Sequence, residues 1–179
     1  MKIATIAGSL RQASTNRGLI RACIDIAPEG VDFEALSIGD MPHYDGDVAA
    51  GGEPESVAAF KAGIARADAL LIATPEYNYS IPGVLKNAID WASRPAYQSV
   101  FAGKKTAMLG AAYSVVGTAR AQSHLKHVLL GMATPVFAYP EVLVGSAKTK
   151  FDAEGNLTDA PTREFLGTFM RAFVEWVRT

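Results

Sequence analysis

MKIATIAGSLRQASTNRGLIRACIDIA, residues 1–27, contains the change of period on which the fold turns. Lys2 to Ala7 is a short apolar run without alternation, the pattern of a strand covered on both faces. From Asn16 the spacing becomes three and four, and Leu19, Ile20, Cys23, Ile24 and Ala27 fall along one side of a helix. Between them lies GSLRQASTNRG, residues 8–18, polar and bounded by glycine. Strand, polar loop and helix in that order open a parallel βαβ unit.

Working outward, the same alternation continues. Further strands are predicted at residues 32–38, 69–74 and 106–111, with a shorter one at 134–137 that Pro135 confines to a sheet edge or breaks. Helical stripes run through Val57, Phe60 and Ile64 (53–67), through Val84, Leu85, Ala88 and Ile89 (82–93), and through Ala121, Leu125, Val128, Leu129 and Met132 (118–132). A closing helix from about Pro161 carries Phe165, Leu166, Phe169, Met170, Phe173, Trp176 and Val177, a stripe broad enough to be core. Gly51 and Gly52 read as a surface loop, and residues 151–159 as a polar connection with turn chemistry at Glu154, Gly155 and Asn156. With no repeat and no Pro/Gly-rich linker, residues 1–179 read as a single α/β domain of five βα units.

Composition removes several function classes. The chain has 179 residues, 49% of them hydrophobic and 20% charged, which is globular rather than disordered. Its net charge is −1 with no basic stripe, so nucleic acid is not an expected partner. The apolar run near the amino end is too short for a signal-peptide core or a bilayer span, so no membrane partner is expected. Cys23 is the single cysteine; it excludes an internal disulfide or a multi-cysteine metal site, fits a reducing cytoplasm, and reads as a small buried hydrophobe.

In an open parallel sheet, ligands bind beyond the carboxyl ends of the strands. The loops after Ala7, Thr74 and Ala111 are therefore the place to look. The first gathers Ser9, Arg11, Ser14, Thr15 and Asn16 at a helix amino terminus, where hydroxyls, an amide, a guanidinium and backbone N–H groups converge on one anion. Neither GxxxxGK[ST] nor GxGxxG is present, which leaves a single terminal phosphate as the occupant. The plainer alternative is a capped helix with Arg11 in solvent. The second loop, PEYNYSIPGVLKNAIDWASRP (75–95), has Ser80 placed to cap a helix with Pro82 in its first turn. Ahead of it Glu76, Tyr77, Asn78 and Tyr79 offer ring faces and main-chain amides suited to a flat heterocycle; the alternative is an ordinary turn with surface tyrosines.

GSLRxxSxN after the first strand and PEYNxSxPGxLKNAIDWxSRP after the third resemble the NADPH-dependent FMN reductase family, which includes bacterial quinone, chromate and azo-dye reductases. The resemblance extends over about residues 1–145 and implies a flavodoxin-like three-layer sandwich with a five-stranded parallel sheet of order 2-1-3-4-5. It further implies bound FMN, with NAD(P)H as co-substrate and quinones, azo compounds, chromate or ferric chelates as small-molecule acceptors. By the same resemblance Ser9, Arg11, Ser14 and Asn16, with Thr15 beside them, fall at the FMN phosphate, and Pro75, Glu76, Tyr77, Asn78 and Tyr79 along the ring system. A third loop, GAAYSVVGTARAQ (110–122), flanks the pyrimidine side of the ring through Ser114 and its neighbours, although relatives commonly hold glycines where this chain has Ser114, Val115 and Val116. Hydride chemistry is then carried by FMN N5, and no side chain is expected as a catalytic acid or base. The family's sites are usually completed by a neighbouring subunit, so a homodimer or homotetramer is expected, with Trp91, Arg94 and Arg120 at its interface rather than in the core.

His124 and His127 lie three apart, but no carboxylates accompany them and they read as surface histidines, with no metal expected. The rival readings are a flavodoxin-like single-electron carrier, disfavoured by the near-neutral charge, and a binding module without oxidoreductase activity.

Overall fold

Residues 1–179 are described by a computed structural model in which strands and helices alternate along the chain. The elements are β1 (Lys2–Ala7), α1 (Thr15–Ile26), β2 (Asp32–Leu36), α2 (Gly46–Ala50), α3 (Glu55–Arg66) and β3 (Ala69–Ala73), followed by α4 (Gly83–Ala92), β4 (Lys105–Ala111), α5 (Ala119–Leu130), β5 (Val142–Val144) and α6 (Ala160–Arg178). All strand pairs are parallel and the order is β2-β1-β3-β4-β5, as the family resemblance implies. The carboxyl ends of β1, β3 and β4 thus lie side by side.

Each face of the sheet has its own core. Every residue of β3 is buried, and alternate side chains point to opposite faces. Leu71 joins Ile3, Leu19, Cys23, Leu109, Leu166, Phe169 and Phe173 under α1 and α6. Leu70 and Ile72 join Ile6, Phe60, Ile64, Leu85, Ile89, Leu125 and Leu129 under α3, α4 and α5. The accessible surface is 8690 Å², close to the roughly 8,400 Å² expected of a folded monomer of this mass. The Cys23 thiol is sealed in the first core, and burial pushes its pKa up to about 12. Phe165, at 42% exposure, is the one aromatic of the predicted α6 stripe that leaves the core altogether. No helix is long and apolar enough to cross a membrane.

Two expectations are corrected. The fifth strand lies at Val142–Val144, pairing with Leu109–Ala111, and not at residues 134–137. That earlier segment makes a single bridge, in which Thr106 N–H donates to Pro135 O (2.9 Å) and Phe137 N–H to Thr106 O (2.8 Å). Pro135 itself has no N–H with which to extend a ladder. Gly51 and Gly52 are exposed in a surface loop as expected, and that loop follows a short helix, α2, whose N-cap Asp45 accepts from Asp47 N–H (2.8 Å). Trp91 is core, 2% exposed, rather than interface. Its Nε1–H donates to Pro42 O (2.8 Å), Asn87 Nδ2 donates to the same carbonyl (2.9 Å), and Tyr44 N–H donates to Asn87 Oδ1 (2.8 Å). The Tyr44 ring stands edge-on to Trp91, with the Arg94 guanidinium over its face. Much of the long second motif therefore straps the loop after β2 onto α4.

Candidate active site

The first loop is an array of donors with few acceptors of its own. From Ser9 to Arg17 no backbone N–H donates to a backbone carbonyl. Those of Arg11, Asn16 and Arg17 go instead to serine hydroxyls, Arg11 to Ser9 Oγ and the other two to Ser14 Oγ, which makes Ser14 the N-cap of α1. Ser9 and Ser14 are both buried. Arg17 Nε donates to Ser9 O (3.3 Å) and backs the turn, while Arg11 makes only a 3.5 Å contact with Ala13 O. Main-chain N–H groups, two hydroxyls, the positive end of α1 and a scarcely paired guanidinium thus meet in one turn. That donor set is chemically suited to a phosphate.

Asn16 has a second task. Its Nδ2 donates to Ala111 O (3.0 Å) and its Oδ1 accepts from Ala111 N–H (2.9 Å), both buried. Thr74 N–H donates to Leu109 O, and at Ala111, further along β4, the ladder partner is this amide. The Asn16 side chain therefore staples the first loop to the end of β4 through both its amide oxygen and its amide nitrogen.

The second loop is a hairpin. Tyr77 N–H donates to Ser80 O (2.9 Å) and Ser80 N–H to Tyr77 O (3.0 Å), with Asn78 (φ 49°) and Tyr79 (φ 68°) between them. Two successive positive φ angles are those of a type I′ turn; asparagine tolerates them, whereas a tyrosine there must be held. Arg120 holds it: the guanidinium lies 4.0 Å from the Tyr79 ring centroid. Arg120 Nη1 also donates to Glu76 Oε1 (2.8 Å), and Glu76 Oε2 accepts from the N–H groups of Arg120 (3.0 Å) and Ala121 (3.1 Å). Burial alone would raise the Glu76 carboxyl; the Arg120 guanidinium and the two N–H groups outweigh it and hold the carboxyl below its usual range. Glu76 thereby caps α5 from another loop, and Thr118, the formal N-cap, makes no side-chain capping bond.

Ser80 does not cap α4 as expected. The N-cap is Pro82, and Ser80 Oγ lies 3.0 Å from His124 Nδ1. His127 Nδ1–H donates to Ser123 O (2.9 Å), so both histidines have local partners. No group of three or more His, Cys, Asp or Glu lies close enough to hold a metal.

The third loop folds against the chain beyond β5. Ala112 N–H donates to Val144 O, Ser146 N–H to Ser114 O and Ala147 N–H to Ala112 O, while Ser114 Oγ donates to Gly117 O (3.2 Å). Val115 and Val116 are left exposed.

Together the loops enclose a cleft of about 460 Å³. Every residue singled out in the sequence borders it: Ser9, Arg11, Ser14, Thr15 and Asn16 at one end, Pro75 to Tyr79 along one wall, Ser114 opposite. Ala111, Ala112 and Tyr113, the neighbours of Ser114 in the third loop, also line it, and so does Arg120, which is expected from sequence at a subunit interface. The signal for Arg120 was in the sequence: a cation in the first turn of a helix opposes the macrodipole and needs a carboxylate partner from elsewhere. A group with a phosphate tail and a flat aromatic head fits these residues, and the volume lies within the roughly 300–1,000 Å³ of small-ligand sites.

The model of the NADPH-dependent FMN reductase family matches residues 1–149, more than four-fifths of the chain. The chain belongs to that family. FMN is its cofactor and NAD(P)H its reductant. Over 178 residues it is 46% identical to a 2-hydroxy-1,4-benzoquinone reductase of a Burkholderia species, covering 99% of this chain and 97% of that one. It is 47% identical to an NAD(P)H-dependent FMN reductase of Pseudomonas aeruginosa, covering 99% and 96%. Among solved structures, FerB, a flavoenzyme NAD(P)H:(acceptor) oxidoreductase from Paracoccus denitrificans, superposes with a TM-score of 0.89 at 42% identity, covering 99% and 97%.

Proposed function

We propose that residues 1–179 form one FMN-binding domain that transfers hydride from NAD(P)H to quinones or similar small acceptors at the cleft between the loops after β1, β3 and β4. One observation carries this reading. Residues from three separate loops converge on a single cleft that has an unpaired-donor cradle at one end and a tyrosine-bearing hairpin at the other. Arg11, Ser9, Ser14 and the N–H groups up to Thr15 bind the FMN phosphate, and the Pro75–Tyr79 wall orients the ring system through main-chain groups and ring faces. Asn16 acts by stapling the cradle, and Glu76 by fixing the hairpin to α5. Ser114 and Tyr113 close the opposite wall.

When bound, FMN supplies hydride acceptance and donation at N5, so the chain's own task is to hold and orient. The Glu76 carboxylate, the one carboxyl that lines the cleft, is committed to Arg120 and the α5 amides and is not free to move a proton. Quinones are the favoured acceptors because relatives 46% and 47% identical are named for quinone and FMN reduction. The half-exposed Tyr77 and the exposed Tyr79 and Tyr113 at the mouth give a planar acceptor aromatic surface to meet. A homodimer or homotetramer working in the cytoplasm completes the proposal, supported by the exposed apolar rim of Tyr79, Tyr113, Val115 and Val116. Anaerobic mixing with NADPH and with NADH tests the reading. Flavin absorbance bleaches with at least one nucleotide and returns on addition of a benzoquinone; no bleaching with either overturns it in favour of a carrier.

A further inference from the structure

Two of the three cleft loops are pressed from behind by the chain that follows β5, outside the cleft itself. At its start, a Cβ on Gly145 would lie 2.1 Å from Val115 O, and Ser146 and Ala147 donate their N–H groups to Ser114 O and Ala112 O. At its far end, Gly155 (φ 79°) touches the first loop: a Cβ there would lie 2.8 Å from both the C and O atoms of Ala13 and 3.2 Å from the Ser14 carbonyl carbon. Gly18 on α1 meets the same glycine, and its Cβ would fall 1.8 Å from Gly155 O.

We infer that residues 145–156 are a brace that sets the phosphate cradle and the third loop together, with Gly155, Asn156 and Arg21 as positioning residues for the cradle and Gly145 for the third loop. The brace is itself fixed. Arg21 Nη2 donates to Gly155 O (3.2 Å) and to Asn156 Oδ1 (2.8 Å). The Asp152 carboxylate accepts from Asn156 N–H (2.7 Å) and Nδ2 (3.0 Å), Gly155 N–H donates to Asp152 O, and Phe151 is buried in the core beneath α1. None of Gly145, Gly155, Asn156 or Arg21 lines the cleft. They act through the Ala13–Ser14 peptide and the Ser114–Val115 peptide, whose places they determine by contact. Two glycines, Gly18 and Gly155, are needed because backbone meets backbone there, and any side chain would displace the turn whose N–H groups form the cradle.

The inference rests on the FMN reading of the cleft, and titration of FMN and of riboflavin into the apoprotein separates the two. Wild type binding no FMN sinks that reading. If wild type binds, Gly155→Ala weakens FMN about tenfold, the loss of one charge-assisted hydrogen bond to phosphate. Riboflavin, which lacks the phosphate, is then bound within about twofold of wild type by the same measure. Unchanged FMN affinity overturns the brace, and so does an equal loss for FMN and riboflavin, which marks general damage. Should Gly155→Ala fail to fold, the partly exposed Asn156→Ala and Arg21→Ala give the same comparison, with about threefold selective loss of FMN expected.

Discussion

Asn16→Ala removes both hydrogen bonds of the staple between the first loop and β4. Ala111 is 2% exposed, so its N–H and C=O are left without partners where water does not reach them easily. Each such group costs about 1–3 kcal/mol, giving about 2–6 kcal/mol in all. For a chain of this length one kcal/mol moves the midpoint of thermal unfolding by about 2–4 °C, so the apoprotein should melt about 4–24 °C below wild type. Differential scanning calorimetry of apoprotein, with no flavin present, reads this directly. A side chain whose chief task is to touch the phosphate would behave otherwise: the apoprotein would melt within about 2 °C of wild type and FMN affinity alone would fall. That result would refute the staple.

Arg11→Ala should weaken FMN binding about 10–100-fold, the worth of charge-assisted contacts to a phosphate. Turnover at saturating FMN should stay within about twofold, as read by fluorescence titration beside steady-state rates; equal loss of both contradicts the assignment. Glu76→Gln should lower the melting temperature at pH 7 by about 2–6 °C, because the Arg120 guanidinium and two amides lose their charged acceptor. The native carboxyl titrates below its unfolded counterpart, so its stabilisation is complete above about pH 4.3 and fades as pH falls through the lower native value. The gap between wild type and variant should therefore close in acid, and a gap independent of pH would remove Glu76 from the electrostatics of the hairpin.

Strand, loop and helix order, and the convergence of the loops after β1, β3 and β4, were legible because the apolar runs and helical stripes are long and regular. Ser9, Arg11, Ser14 and the Pro75–Tyr79 turn could be picked out because they break that regularity with polar and aromatic residues. The errors come from contacts distant in sequence. Val142–Val144 is too short to signal a strand by itself, and only pairing with Leu109–Ala111 makes it one. Trp91 was placed at an interface because nothing local shows that Pro42 and Tyr44 return over α4 to cover it. Ser80 looked like a cap by spacing, yet Pro82 begins α4 and the hydroxyl turns to His124. The double role of Asn16 and the far-side capping by Glu76 are likewise invisible until β4 and α5 stand beside their loops.

The sealing of Cys23 bears on how long the protein would survive the quinone acceptors proposed for it. Quinones are electrophiles that alkylate accessible thiolates by conjugate addition, and a side reaction of that kind would gradually inactivate a protein that handles them. The sole sulfhydryl of this chain lies beneath α1 and α6 with no exposed surface and a strongly suppressed tendency to ionise. In its native state the protein offers no thiolate to these compounds, and becomes vulnerable to them at sulfur only when it opens.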